Sequence, residues 1–197
     1  MSASREDYRL TTLVVVSVLL IVSLVTSAID VNSVETNGLP AVVWCAIIAF
    51  AVQWLAWIPA STSQTERFYD LTGGLTYLAV VAFSLWAGSL SEDPSTREWL
   101  ISALVAIWAI RLSSFLFLRI HEAGKDGRFD QLKTSPVRFL VPWTLQALWV
   151  FLTLNVVVVI NSQSGPAPAL GIWDAVSYTH LRAHETSLHL VCRLLLE

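Results

Sequence analysis

Apolar residues along this chain gather in five uninterrupted runs, at 11–29, 39–58, 71–90, 99–120 and 139–160. Each is about 20 residues long, the length at which an α-helix crosses the hydrocarbon of a bilayer. The connectors between them are short and polar and carry turn or helix-start residues: "DVNSVETNGLP", "PASTSQTERFYD", "SEDPSTRE", "HEAGKDGRFDQLKTSPVR" and, after the last run, "NSQSGPAPALG". Neither a repeat nor a low-complexity tract breaks the rhythm. The pattern predicts an all-α, polytopic transmembrane bundle with five spans.

Composition agrees with the pattern. Of 197 residues, 55% are hydrophobic and 14% charged, and the mean hydropathy is +0.62, outside the usual range of soluble domains. Trp44, Trp57, Trp99 and Trp143 stand near predicted span ends, where an amphipathic ring favours the headgroup region. Arg5 and Arg9 precede the first run as in a secretory signal. The run is longer than a signal core, however, and four more spans follow it, so it reads as a retained membrane helix.

Counting lysines and arginines by connector, with Arg119 assigned to the fourth, places eight with the N-terminus and the second and fourth connectors. One, Arg97, lies on the other side. The positive-inside rule then expects an integral multi-pass protein with the N-terminus and the long charged loop in the cytoplasm. A net charge of −3 without a basic block gives no sign of a nucleic-acid partner. Cys45 reads as a small apolar residue within the second span, and two cysteines build neither a disulfide framework nor a metal site.

From Ser177 the chain changes character: "SYTHLRAHETSLHLVCRLLLE" holds His180, His184 and His189, three of its four histidines. His180 and His184 at helical spacing, with Glu185 beside them, invite a metal reading, but two imidazoles without further ligands are weak evidence. The segment resembles translated sequencing-adapter sequence found at the ends of unrelated chains. Residues 177–197 are therefore expected to be a non-native tail, no metal is assigned, and residues 1–176 are taken as the membrane domain.

Arg111 is the thirteenth residue of the fourth run, roughly 12 Å below Arg119 along a helix. A charge at that depth costs about 2.5–3.5 kcal/mol on insertion scales. Either the guanidinium snorkels or pairs with an acid, Asp70 being the nearest candidate, or its face lines a wet cytoplasmic cavity that takes an anion. Beyond it, "GKDGRFD" sets Lys125, Asp126, Arg128 and Asp130 among two glycines. Such a loop is either a solvated positive-inside connector or a phosphate-handling one. On the same side "TERFYDLTGG" brings Glu66, Arg67, Tyr69 and Asp70 to the third span, where Gly73 and Gly74 permit close helix or ligand approach. Gln53, Gln146 and Asn155 are isolated polar residues within spans, suited to interhelical hydrogen bonds or to ligand contact.

"TERFYDLTGGLTYLAVV", "RLSSFLFLRIHEAGKDGRFDQLK" and "RFLVPWTLQALWVFL", in that order over roughly residues 53–161, resemble the DUF1295 family, related to steroid 5-alpha-reductases. The resemblance implies a bundle of about seven membrane helices, with a cytoplasm-facing cavity for NADPH and a lipid or steroid-like substrate. It implies hydride transfer to the β-carbon of an enone. On this chain Gln53 and either Tyr69 or Tyr77 are the positions the resemblance implies could approach a substrate oxygen, and Arg111, Arg119, Lys125 and Arg128 match the family's basic pattern and are the implied cofactor-binding set. The family's C-terminal cofactor motif is not found here. The chain is therefore expected to be the N-terminal part of such a reductase and inactive as written. Two alternatives stay open: a membrane methyltransferase of the isoprenylcysteine type, and a non-enzymatic membrane scaffold.

Overall fold

The computed structural model describes residues 4–30, 32–124 and 126–163. Lys125 and residues 164–197, including the three histidines of the tail, lie outside them. Five long helices dominate: α1 (Arg5–Ile29), α2 (Ala41–Thr62), α3 (Tyr69–Ser89), α4 (Thr96–Ala123) and α5 (Pro136–Ser162). All five are long and apolar enough to span a membrane. Two strands of two residues, β1 (Glu35–Thr36) and β2 (Leu39–Pro40), pair antiparallel between α1 and α2.

Local chemistry explains where the helices begin and end. Ser4 and Asp7 exchange backbone and side-chain hydrogen bonds of 3.0 and 3.1 Å, a capping box that starts α1 six residues before its apolar run. Pro136 at the first turn of α5 gives up an N–H that no helix would use there. Gly124, at φ +79°, ends α4 and donates its N–H to the Ile120 carbonyl. The hairpin turns through Asn37 and Gly38, both at positive φ (51° and 77°), the Asn-Gly signal of a tight β-turn.

α5 is the central helix and packs against each of the other four. Phe139, Trp143, Val150, Phe151, Leu154 and Val158 on it are almost wholly buried. α1 leans mainly on α5 through one stripe, Thr11, Val18, Val22 and Thr26. The outer surface is apolar, with Leu24 71% and Val156 69% exposed, which suits hydrocarbon and not water. The protein is thus an integral, multi-pass, all-α membrane protein in contact with the bilayer.

Both ends are pinned by contacts among helix ends and connectors. At one end Thr11 donates to the Val137 carbonyl (3.0 Å) and the α2–α3 connector meets the α4–α5 connector through Glu66 and Lys133. At the other, Val34 N–H donates to the Ser162 carbonyl (2.8 Å) and Ser33 bridges Gln163. α3 and α5 start at the same end and run parallel. Near the far end Gly88 lies against the backbone of Asn161, where a Cβ would collide with the Asn161 carbonyl oxygen.

Candidate functional site

The charged residues singled out in the sequence collect at the end that carries the N-terminus, which the charge count expects in the cytoplasm. Glu66 is the centre of the cluster and only 3% exposed. Its Oε1 accepts from the Asp126 N–H (3.0 Å) and its carboxylate accepts from Lys133 Nζ at 3.1 and 3.3 Å, while its own carbonyl accepts from the Tyr69 N–H. Lys133 also pairs with Asp130 at 3.1 Å. One buried carboxylate therefore latches the α4–α5 connector onto the start of α3.

Within that connector Asp126 accepts the Arg128 N–H and the Arg128 guanidinium, Nε lying 2.9–3.0 Å from both carboxylate oxygens. The guanidinium's hydrogen bond holds the Asp126 carboxyl below its ordinary value, and the same bond raises Arg128. Arg128 remains 67% exposed and its guanidinium lies 5.8 Å from the Phe129 ring centroid. Asp70, half-buried at the start of α3, lies near the guanidinium groups of Arg128 and Arg119. The loop is thus partly self-neutralised: an incoming anion must compete with Asp126 for Arg128.

Beneath the latch, the short 3₁₀ turn Gly127–Phe129 inserts Phe129 beside Tyr69 (centroids 4.9 Å) and Phe139 (6.1 Å). Tyr69 packs edge-on against Trp143 and donates to the Pro142 carbonyl at 2.9 Å. Tyr69 is therefore a clamp between α3 and α5 in this structure.

A parallel polar seam continues inward along α3 and α5. Gly73 faces the Gln146 side chain, whose Nε2 lies 2.5 Å from where a Cβ would stand, and a Cβ at Gly74 would meet Ser113 of α4. Tyr77 bonds Thr153 at 2.7 Å and stacks edge-on against Trp108. Asn161 Nδ2 donates to Ser84 and Ser102, both at 2.9 Å, joining α3, α4 and α5. Gln53, fully buried on α2, donates from Nε2 to Thr76 at 2.9 Å. Gln53 and Tyr77 thus lie in the interior of the bundle and Tyr69 at its mouth, each bonded to a neighbouring helix.

The arginines of α4 are elsewhere. Its buried residues Ser102, Ala109, Ser113 and Ile120 form one narrow stripe, and Arg111 stands about half a turn round from it. Arg111, Leu112, Phe115 and Arg119 are all exposed. Arg119 and Arg128 lie near enough to Asp70 to act on its carboxylate. Among the described residues no group of three or more histidine, cysteine or acidic side chains is placed to hold a metal.

Sequence reasoning placed Glu66 at the entrance but did not foresee its burial, and it missed the Asn161–Ser84–Ser102 node. An Asn-Ser pair closing the last apolar run was the available signal for the latter. A family model described as "Protein of unknown function (DUF1295)" matches residues 56–181, running five residues into the segment set apart as a tail. No curated protein and no solved structure matches the chain.

Proposed function

The chain belongs to the DUF1295 family of proteins of unknown function, and on that premise we propose that it is the membrane-embedded part of an NADPH-dependent reductase. Its substrate is an enone-type lipid or steroid-like molecule, reduced at the C=C bond. The observation that carries this reading is a set of hydroxyl and amide groups, Gln53, Thr76 and Tyr77, sunk in an apolar bundle below a mouth bearing Arg119 and Arg128. A lipid-like ligand is recognised by a few placed polar groups in apolar surroundings.

The residues fit the cofactor in charge and exposure. Arg119 and Arg128 are exposed at the mouth and supply charge-assisted donors to phosphate oxygens, Arg128 by exchanging Asp126 for the ligand. When bound, NADPH supplies the hydride. The chain's own part is to orient the enone and stabilise the oxygen on which negative charge develops. Tyr77 is suited to that: Thr153 spends its own proton on the Trp149 carbonyl, so the Tyr77 hydroxyl is the donor in their pair, free to re-aim at a substrate oxygen.

Because the family's C-terminal cofactor motif is not found in this chain, the test is binding of NADPH to the protein made from the complete reading frame, purified in detergent and followed by nicotinamide fluorescence, with S-adenosylmethionine in parallel. NADPH binding weakened by Arg119→Ala and by Arg128→Ala supports the reductase. Binding of S-adenosylmethionine in its place moves the assignment to a methyltransferase of the isoprenylcysteine type. Binding of neither refutes both and leaves a non-enzymatic scaffold.

A further inference from the structure

α4 and α5 flank α3 but barely meet each other. Near the far end Asn161 Nδ2 joins them through Ser102 at 2.9 Å. Toward the mouth each packs on α3 instead, Gln146 of α5 over Gly73 and Ser113 of α4 over Gly74. Between these levels lies Tyr77, with Trp108 of α4 edge-on at 5.1 Å and Thr153 of α5 bonded to its hydroxyl at 2.7 Å. Tyr77 is 7% exposed, yet its partner stands on the outer surface. Thr153 is exposed, between Trp149 at 66% and Val156 at 69%.

Tyr77 is the ninth residue of α3, roughly 12 Å along the helix from Tyr69 at the mouth and about 18 Å from Ser89 at the far end. The hydroxyl pair therefore sits within the hydrocarbon, and one of its members faces it. A threonine in a membrane helix satisfies itself by bonding back along its own backbone, and Thr153 does so, to the Trp149 carbonyl at 2.8 Å. That bond explains how Thr153 tolerates lipid. It does not explain why a buried tyrosine sends its proton outward to it. The face around Thr153 is continuous with the apolar surface that contacts the bilayer, so lipid is what meets this hydroxyl.

We infer that the interval between α4 and α5 is a lateral portal, through which a lipid leaves the bilayer, meeting first Thr153 and then Tyr77. The lipid it takes is uncharged, bears a carbonyl oxygen and has no headgroup. Phospholipid oxygens stay at headgroup level, outside a hydrocarbon core of about 30 Å, and a charged group is costly at this depth. Thr153 is a positioning residue: by turning its proton from the Trp149 carbonyl, which keeps its helical bond, it offers the incoming oxygen a donor on the bilayer side. Lipid and cofactor thus arrive by separate routes, the cofactor at the mouth beside Arg119 and Arg128. The portal deepens the reductase reading and rests on it for the fate of the lipid, but its occupancy does not require NADPH.

The experiment photolabels the intact chain in phosphatidylcholine nanodiscs, without NADPH, and maps the adducts by mass spectrometry. One probe is a long-chain alkyl enone with a diazirine next to the enone; the other is a phosphatidylcholine with the diazirine at mid-chain. The enone should label α4 and α5 around Trp108 and Thr153 in preference to the phospholipid, and unlabelled enone should displace it. Thr153→Val should lower that labelling about fivefold, the worth of one hydrogen bond, and Thr153→Ser should restore it. Thermal unfolding checks that the variants are folded. Tyr77→Phe, which keeps the ring on Trp108, is a second variant with the same expected loss. Equal labelling by both probes reports ordinary annular lipid and overturns the inference. So does enone labelling that neither variant lowers, or that concentrates on Tyr69 and Phe129 at the mouth. NADPH binding is measured apart: portal labelling without it sinks the reductase reading alone, and NADPH binding without preferential labelling sinks the portal alone.

Discussion

Removing the Glu66 carboxylate should open the latch at the mouth. In Glu66→Ala the Asp126 N–H loses its acceptor and Lys133 keeps only Asp130, which is 38% exposed. Breaking a fully buried ion pair from one side costs about 3–5 kcal/mol. Lys133 is 21% exposed and can turn to water, so the low end, about 3 kcal/mol including the orphaned N–H, is expected. Glu66→Gln keeps an oxygen for the Asp126 N–H but turns the atom nearest Lys133 into an N–H donor, so it should fall between wild type and alanine, at about 1.5 kcal/mol. Lys133→Met keeps the apolar stem but strands the carboxylate, so it should fall near the alanine variant. The coupling energy in the double variant should reach about 1–3 kcal/mol. The assay is denaturant unfolding in mixed micelles followed by tryptophan fluorescence, with tryptic cleavage after Arg128 reporting local opening. A loss in Glu66→Ala of no more than ~0.5 kcal/mol, the size of an ordinary surface substitution, would refute the reasoning. So would strict additivity with Lys133→Met.

Other expectations follow from the same geometry. Gly88→Ala forces the new Cβ onto the Asn161 carbonyl and should cost about 1–3 kcal/mol, measured in the same unfolding assay. Tyr69→Phe keeps the ring contacts with Phe129 and Trp143 but loses the bond to Pro142, so a loss of about 1 kcal/mol is expected. Because Arg128 depresses Asp126, the stability this pair adds is complete above the ordinary carboxyl value of 3.8 and is lost as pH falls through the lower folded value; Asp126→Asn should flatten that acid limb of a stability–pH profile. If the charge count sets the topology, cysteines introduced at Arg67 and Arg128 should react with a membrane-impermeant maleimide from the cytoplasmic side, and one at Asn37 from the other.

The spans were legible because a bilayer imposes both length and polarity on a helix, and runs of that length admit few other readings. Their ends moved where local chemistry outranked hydropathy: α1 starts at Arg5 because Ser4 and Asp7 cap it, not because its first turn is apolar. The hairpin was overlooked although Asn37-Gly38 announced it, since strands of two residues leave no alternating pattern. At the site, the residue types were visible and their partners were not. Which group meets Tyr69, Tyr77 or Ser84 depends on the register between α3 and α5, and α4 separates those helices in the chain. The burial of Glu66 was hidden for a like reason. A carboxylate in a charged connector looks solvated until a lysine 67 residues later folds over it.

The central place of α5 bears on how the protein is made. Of the five membrane helices it is synthesised last, so the other four enter the bilayer before the element they share exists. α1, which leans chiefly on α5, waits longest, and Ser84 meets lipid while Asn161 is still in the ribosome. The bundle is therefore completed only once α5 enters, and a nascent chain stalled ahead of Pro136 would present quality-control proteases with α2, α3 and α4 packed on one another but α1 without its main partner.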